Sequence, residues 1–319
     1  MPDTRSVLAI SGGIGGAKLA LGLYRILGPN RLSVVANTGD DFEHLGLYVS
    51  PDLDTLLYTL AGIGDWERGW GRAEETWTFM HALSVLGGET WFKLGDGDLA
   101  THVERTHLLG LGRTLTEVTD QFCQRLGVRA RLLPMSDDPV RTQIETRDEV
   151  LAFQDYFVRQ ACTPRVTGFR FHGADDARAN PRFIDALAAE DLAAVIICPS
   201  NPYLSVDPML ALRGVRDALA SARAPVIAVS PIIGGAAVKG PTDKIMQELG
   251  VPKTQDSIAS HYEGLLDGFV FDRKDIAIRE AIAVPTLCTN TLMSTLADRD
   301  RLAGEVLNFA EQLRSETVK

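Results

Sequence analysis

The chain has 319 residues, 45% hydrophobic and 23% charged, with a formal net charge of -10; this is ordinary globular usage and argues against a general nucleic-acid-binding surface. No run approaches the roughly 18–20 apolar residues of a membrane span, residues 1–5 lack a signal-peptide pattern, and the four cysteines (Cys123, Cys162, Cys198, Cys288) form no C-x-x-C pair. The expectation is a cytoplasmic protein with reduced thiols, built as one large α/β domain with an insert or as two domains.

A short apolar run over 7–10 reads as a strand and breaks into Gly12, Gly13, Gly15 and Gly16. A helical pattern over 19–27 follows, with Lys18 in its first turn. Strand, glycine turn, helix is the order that sets bare backbone N–H groups and a helix N-terminus against a phosphate, although the spacing is neither G-x-G-x-x-G nor a Walker loop. A second strand over 32–36 runs into Asn37-Thr-Gly-Asp-Asp41. Next comes Ser50-Pro-Asp-Leu-Asp-Thr55, opening a helix over 53–60. Here Ser50 suits the N-cap, Pro51 the first helical position, and Asp52 the helix dipole. Asp52 therefore has a full local explanation, whereas Asp54 points to a different side and could face a cleft beside Asp41.

From 64 to 127 no convincing strand appears; 72–86, 98–109 and 114–126 read as three successive helices. This predicts a helical insert covering the active site, with residues 1–63 and 128–319 forming a Rossmann-like core. Trp66, Trp70, Trp77 and Trp91 all fall in the insert, where core packing is the default reading and a flat aromatic ligand the sharper one. His44, His102 and His107 could each touch a ligand, and Asp98 reads as the N-cap of its helix.

Beyond the insert, strands are expected at 130–133, 166–171, 194–198, 226–229, 269–271 and 286–288. Helices are expected at 149–159, 181–189, 209–222, 243–249, 257–267 and 295–313, followed by a polar tail from Arg314 that frays. Continuous apolar strands alternating with helices favour a doubly wound, mostly parallel sheet. Three more post-strand loops are polar: Pro134-Met-Ser-Asp-Asp-Pro139, Pro199-Ser-Asn-Pro202 and Ser230-Pro-Ile-Ile-Gly-Gly235. In open α/β sheets, ligands bind at these strand ends. Paired carboxylates such as Asp40 and Asp41 near a phosphate loop suit a hard divalent cation, Mg²⁺. No zinc-ligand spacing and no G-x-S-x-G elbow is present. Together these features suggest metal-assisted phosphoryl or nucleotidyl transfer.

Seven motifs in register carry a family resemblance. They are Ser11-Gly-Gly-Ile-Gly-Gly-Ala-Lys18, Asn37-Thr-Gly-Asp-Asp41, Ser50-Pro-Asp-Leu-Asp-Thr55, Lys93-Leu-Gly-Asp96 with Asp98-Leu-Ala-Thr-His102, Leu133-Pro-Met-Ser-Asp-Asp-Pro139, Pro199-Ser-Asn-Pro202 and Ser230-Pro-Ile-Ile-Gly234. From about residue 7 to about residue 313 the chain resembles the 2-phospho-L-lactate transferase family of coenzyme F420 biosynthesis (CofD in archaea, FbiA in actinobacteria). The resemblance implies a Mg²⁺-dependent transfer of a phosphorylated three-carbon acid (phospholactyl, phosphoenolpyruvyl or phosphoglyceryl) from its guanosine diphosphate ester to the terminal ribityl hydroxyl of the deazaflavin Fo, releasing GMP.

The same resemblance implies roles for residues. Gly12, Gly13, Gly15, Gly16 and Lys18 would cradle the pyrophosphate, and Asn201, Ser230 and Gly234 would hold the nucleotide. Asp41 and Asp54 would be catalytic, with Asp40, Asp41 and Asp54 at the metal. Asp54, Thr55, Met135, Ser136, Asp137 and Asp138 would line the Fo site. It also suggests a homodimer. One departure stands out: many relatives have Arg where this chain has Gly97, leaving Lys93 or Arg105 to compensate. Two rivals differ in class. One is a nucleotide-sugar-binding regulator of the same superfamily. The other is a nicotinamide-dependent oxidoreductase, with Asp40 on the ribose.

Overall fold

The computed structural model describes residues 5–317. Residues 1–4 of the stretch that lacks a signal-peptide pattern, and the last two residues of the tail, lie outside them.

Seven short apolar runs form the central sheet: β1 (Ser6–Ser11), β2 (Leu32–Ala36), β3 (Arg131–Pro134), β4 (Leu192–Ile197), β5 (Val226–Val229), β6 (Gly268–Asp272) and β7 (Thr286–Thr289). Their spatial order is β3-β2-β1-β4-β5-β6-β7, every neighbouring pair parallel. This is the doubly wound order, extended by a seventh strand, and it reverses between β1 and β4. Side chains alternate across the sheet as strand geometry requires. Leu8, Ile10, Val195, Ile197 and Phe269 bury in the core on one face. Val7, Ala9, Ala194, Ile196 and Val270 bury in the core on the other. Helices cover both faces, so near-continuous apolar strands are what the burial demands.

On the second face, α1 (Gly13–Leu27) packs beside the C-terminal helix Leu296–Thr317 and beside α2 (Pro51–Ala61). That C-terminal helix continues through Arg314, which pairs with Glu311, so the segment expected to fray is helical up to residue 317. The stretch 64–127 supplies α3 (Thr78–Val85), α4 (Asp96–Gly110) and α5 (Leu115–Arg125). The first of these is shorter than expected because Arg72 is held in an extended bridge to Gly64.

Three expectations are corrected. The strand at 166–171 exists as Val166–His172, but it pairs antiparallel with Arg141–Thr146 in a separate three-stranded sheet completed by Val150–Ala152. Only Val166 is buried along it, the rest being partly buried or exposed, unlike most of the central strands. The helix expected over 149–159 gives way to Val150–Ala152 and a single wide turn, Asp155–Arg159. The strand pairing takes up the backbone groups that the helix would have used. The helix expected over 209–222 is broken into Asp207–Leu210 and Val215–Ala220, with Gly214 at φ 80° between them.

Candidate active site

The sheet's reversal places the loops after β1 and β4 side by side. Gly15 is what lets them touch, since a Cβ there would collide with the Pro199 carbonyl oxygen. Across the same seam the Gly12 N–H donates to Ser200 Oγ at 3.0 Å. Gly13 takes φ 66°, a left-handed conformation that favours glycine. Its N–H donates to Asp52 Oδ1 at 2.6 Å. The turn opens α1, which carries neither a side-chain cap at Gly12 nor an acid in its first turn.

These loops form one end of a cavity of about 600 Å³. Of the residues expected at the site, Gly12, Gly13, Gly15 and Lys18 line it from the first turn. Asp40, Asp54 and Thr55 line it from the loop after β2 and from α2, and Asn201 and Ser230 from the loops after β4 and β5. Asn201 accepts the Tyr203 and Leu204 N–H groups on Oδ1, which fixes the amide. Its buried Nδ2 has no partner among the described residues.

Other expected residues lie off the wall. Gly16 sits behind the turn, against Ser11 and Ser200. The Gly234 N–H is held by Asp275 at 2.9 Å. Asp41 is buried away from the cavity, accepting Ser50 Oγ at 2.7 Å and the Tyr48 hydroxyl at 2.9 Å. Ser50 therefore does not cap α2 with its side chain as expected. Met135 belongs to the core, and Ser136 donates to the Arg178 carbonyl at 2.6 Å. Asp137 accepts both the N–H and the hydroxyl of Thr116. Asp138 accepts the Arg178 N–H at 2.8 Å. That motif's polar groups tie the loop to the start of α5 at Thr116 and to Arg178.

The structure adds Asp52, which the sequence explained as a helix-dipole residue. It lines the cavity. Asn37 Nδ2 bridges it to Asp40, at 3.2 Å from Asp52 and 3.1 Å from Asp40. Burial pushes the Asp52 carboxyl up to about 6, against the Gly13 and Asn37 hydrogen bonds. Burial, with Asp52 and Asp41 nearby, pushes Asp40 well above the usual carboxylate range. Asp41 is pushed up to about 7 by burial, opposed by Arg141, Ser50 and Tyr48.

Deeper in the wall, both oxygens of Asp54 accept from Arg105, Nη1 lying 3.1 Å from Oδ2 and Nη2 bonding Oδ1. Burial works against the Arg105 charge, but Asp54 holds it firmly protonated. His102 lies between two carboxylates, with Nδ1 3.6 Å from Asp54 and Nε2 3.4 Å from Asp98. Asp98 does not cap α4, where Gly95 takes that position; it accepts the Tyr58 hydroxyl at 2.7 Å. One donor atom each from Asp54, Asp98 and His102 falls within a 4.8 Å group.

Trp70 and Trp91 reach the cavity, as do Phe92, Phe153 and Phe157. Trp77 instead packs edge-on to Trp70, and Trp66 stacks with Arg299 at 4.2 Å. His44 packs among Phe42, Trp91 and Phe92. His107 lies in the last turn of α4. The phenylalanine pair, stacked at 5.3 Å, was hidden in the misread segment 149–159. Lys93 and Lys239 line the cavity beside Lys18. The Lys18 ammonium donates to the Met293 carbonyl at 3.0 Å and is pushed downward by burial, Arg299 and Lys239. Beside Gly97 the cation is neither Lys93 nor Arg105 but Arg72, which donates to the Gly97 carbonyl at 3.2 Å.

Fold and site define a doubly wound α/β protein with its ligand cleft at the switch point, where a glycine turn faces buried carboxylates. A model of the family described as 2-phospho-L-lactate transferase CofD matches residues 7–308. The chain belongs to that family, and it is a transferase of the phosphotransferase type. It is 41% identical over 318 residues to a phosphoenolpyruvate transferase of Kitasatospora aureofaciens, covering 97% of this chain and 98% of the relative. It is 38% identical over 304 residues to a 2-phospho-L-lactate transferase of Methanosarcina mazei, covering 94% and 99%. A crystal structure of a UPF0052-family protein from Bacillus halodurans shares the fold, with a TM-score of 0.62 at 14% identity, covering 95% and 99%. Among the described residues no helix is long and apolar enough to cross a membrane.

Proposed function

We propose that the enzyme transfers a phosphorylated three-carbon acid (phospholactyl, phosphoenolpyruvyl or phosphoglyceryl) from its guanosine diphosphate ester to the ribityl hydroxyl of Fo, releasing GMP, in coenzyme F420 biosynthesis. The observation that carries this reading is that the glycine turn and three buried carboxylates, Asp40, Asp52 and Asp54, share one cavity wall. In the reaction the hydroxyl oxygen forms a new ester bond to the phosphorus distal to guanosine. The anhydride bond breaks, and its electron pair leaves on GMP.

The chain's own groups divide the work. The turn at Gly12–Gly13 and the N-terminus of α1 meet the phosphates. Lys18, Lys93 and Lys239 supply positive charge along the same cavity. The free Asn201 amide offers a donor to a ligand oxygen. Each Asp54 oxygen keeps a lone pair beyond its bond to Arg105, so Asp54 can orient the attacking hydroxyl and take its proton. Trp70, Trp91 and the Phe153–Phe157 stack give flat apolar surface for a deazaflavin ring.

A divalent cation fits this wall. Asp40 and Asp52 are buried oxygen donors drawn together by the Asn37 Nδ2 group that both accept, a donor set suited to Mg²⁺. Asp40 and Asp52 would hold the ion, with Asp54 nearby; Asp41 is committed to Ser50 and Tyr48 and is left out of the set. When bound, Mg²⁺ would neutralise charge on the phosphoryl oxygens. The unpaired cysteines suit a reducing compartment, the cytoplasm.

The test is a mass-spectrometric assay with Fo, GTP, the guanylyltransferase that makes the donor, and each three-carbon acid in turn. The expected result is one Fo adduct carrying a phosphorylated acid, with GMP released. Absence of any adduct with every acid would overturn the reading.

A further inference from the structure

Resting on the transferase reading, the geometry points to Asp52 as an internal anion that occupies the phosphate cradle until a ligand phosphate displaces it. The N-terminus of α1 carries the positive end of a helix dipole, yet its own sequence supplies no acid in the first turn and no side-chain cap. The anion comes from α2 instead, 39 residues further along, as Asp52 Oδ1 on the Gly13 N–H at 2.6 Å. Asp52 is only 6% exposed and still lines the cavity. It therefore stands where an entering phosphate oxygen would be held.

Two contacts make displacement workable. The Gly12 N–H is held by Ser200 Oγ, a neutral hydroxyl that can rotate away. Asp52 Oδ2 already accepts Asn37 Nδ2, so the carboxylate keeps a partner when it gives up Gly13. A backbone N–H has one proton, so Gly13 cannot serve both anions well. Asp40 shares the Asn37 amide, and both carboxylates lie on the cavity wall. A diphosphate entering without a cation meets the Asp52 carboxylate there, a juxtaposition of like charges that is strongly unfavourable. Asp52 thereby ties phosphate binding to the presence of a cation. It is a positioning residue for the donor.

The experiment is calorimetric titration of the intact protein with GDP, first in chelator and then with Mg²⁺. Asp52→Asn removes the charge at constant shape. It should bind metal-free GDP about tenfold tighter than wild type, on the scale of relieved like-charge repulsion, and its affinity should respond less to Mg²⁺. Asp52→Ser should move the same way and serves if the asparagine variant does not fold. Metal-free affinity unchanged or weakened in the folded variants would overturn the proposal, since a merely structural Asp52 gives that result. The transferase reading is scored separately by adduct formation in wild type, so failure of one is distinguishable from failure of the other.

Discussion

Arg105 of α4 and Asp54 of α2, 51 residues apart in sequence, form a two-pronged ion pair in the cavity wall with both side chains almost fully buried. The pair fastens the 64–127 segment to the carboxylate expected to face the attacking hydroxyl. Arg105→Ala would leave that carboxylate buried without its cation and should destabilise the fold by about 3–5 kcal/mol. Arg105→Lys keeps the charge but loses the fork, so it should fold and show reduced turnover. Denaturant unfolding and steady-state kinetics check both; an Arg105→Ala protein of wild-type stability would remove the structural role.

Asp54→Asn should lower transfer by at least about a hundredfold, on the scale of general-base effects. The variant keeps one oxygen for Arg105 but leaves that buried guanidinium without its counter-charge, so it too should lose stability, and turnover is read on protein shown to be folded by circular dichroism. Turnover close to wild type would take Asp54 out of the chemistry.

Excess chelator should stop turnover, and Mg²⁺ should restore it, because Asp40 and Asp52 would hold the cation that neutralises the phosphoryl oxygens. Full activity in chelator would exclude the cation role given to those carboxylates.

The sheet could be read from its pattern because strands buried on both faces leave continuous apolar runs, as in Ala194-Val-Ile-Ile. The strand Arg141–Thr146 left no such run, since alternate positions are only partly buried. Its absence from the reading turned 149–159 into a false helix and concealed Phe153 and Phe157. The site was legible where local backbone chemistry sets it, as at Gly12, Gly13 and Asn201. It was not legible where a side chain answers to a distant partner. Asp52 satisfied every local rule for a helix start, yet its carboxylate serves Gly13. Arg105 sits mid-helix with no sequence signal of its tie to Asp54. Ser136, Asp137 and Asp138, which the resemblance assigns to the Fo site, likewise answer to distant partners, Thr116 and Arg178.

Native-state alkylation should divide the cysteines. Cys123 and Cys198 are buried, and burial pushes the Cys123 thiol up to about 12 and the Cys198 thiol further upward. Cys162 and Cys288 are partly exposed. Only the latter two should be modified near pH 8, with the other pair reacting after denaturation. Peptide mass spectrometry checks this, and rapid native labelling of Cys198 would contradict the packing beneath the β4 loop.

The buried carboxylates also set a direction for stability with pH. Asp41 and Asp52 are raised to about 7 and about 6, whereas in the unfolded chain they titrate near the ordinary value of about 4. Between these limits the native state holds protons that the unfolded state has released, so stability falls as pH rises through this window. Below about 4 both states are protonated and the contribution vanishes; above about 7 the full penalty is present. In metal-free protein the melting temperature should therefore decline from pH 5 to pH 8. General repulsion in a chain of net charge -10 contributes to any such decline, so the decisive comparison is Asp41→Asn, which leaves Ser50 and Tyr48 in place. Its profile should be shallower and its melting temperature at pH 8 higher than wild type. Superimposable profiles would mean that Asp41 is already ionised across the range and its burial carries no such penalty.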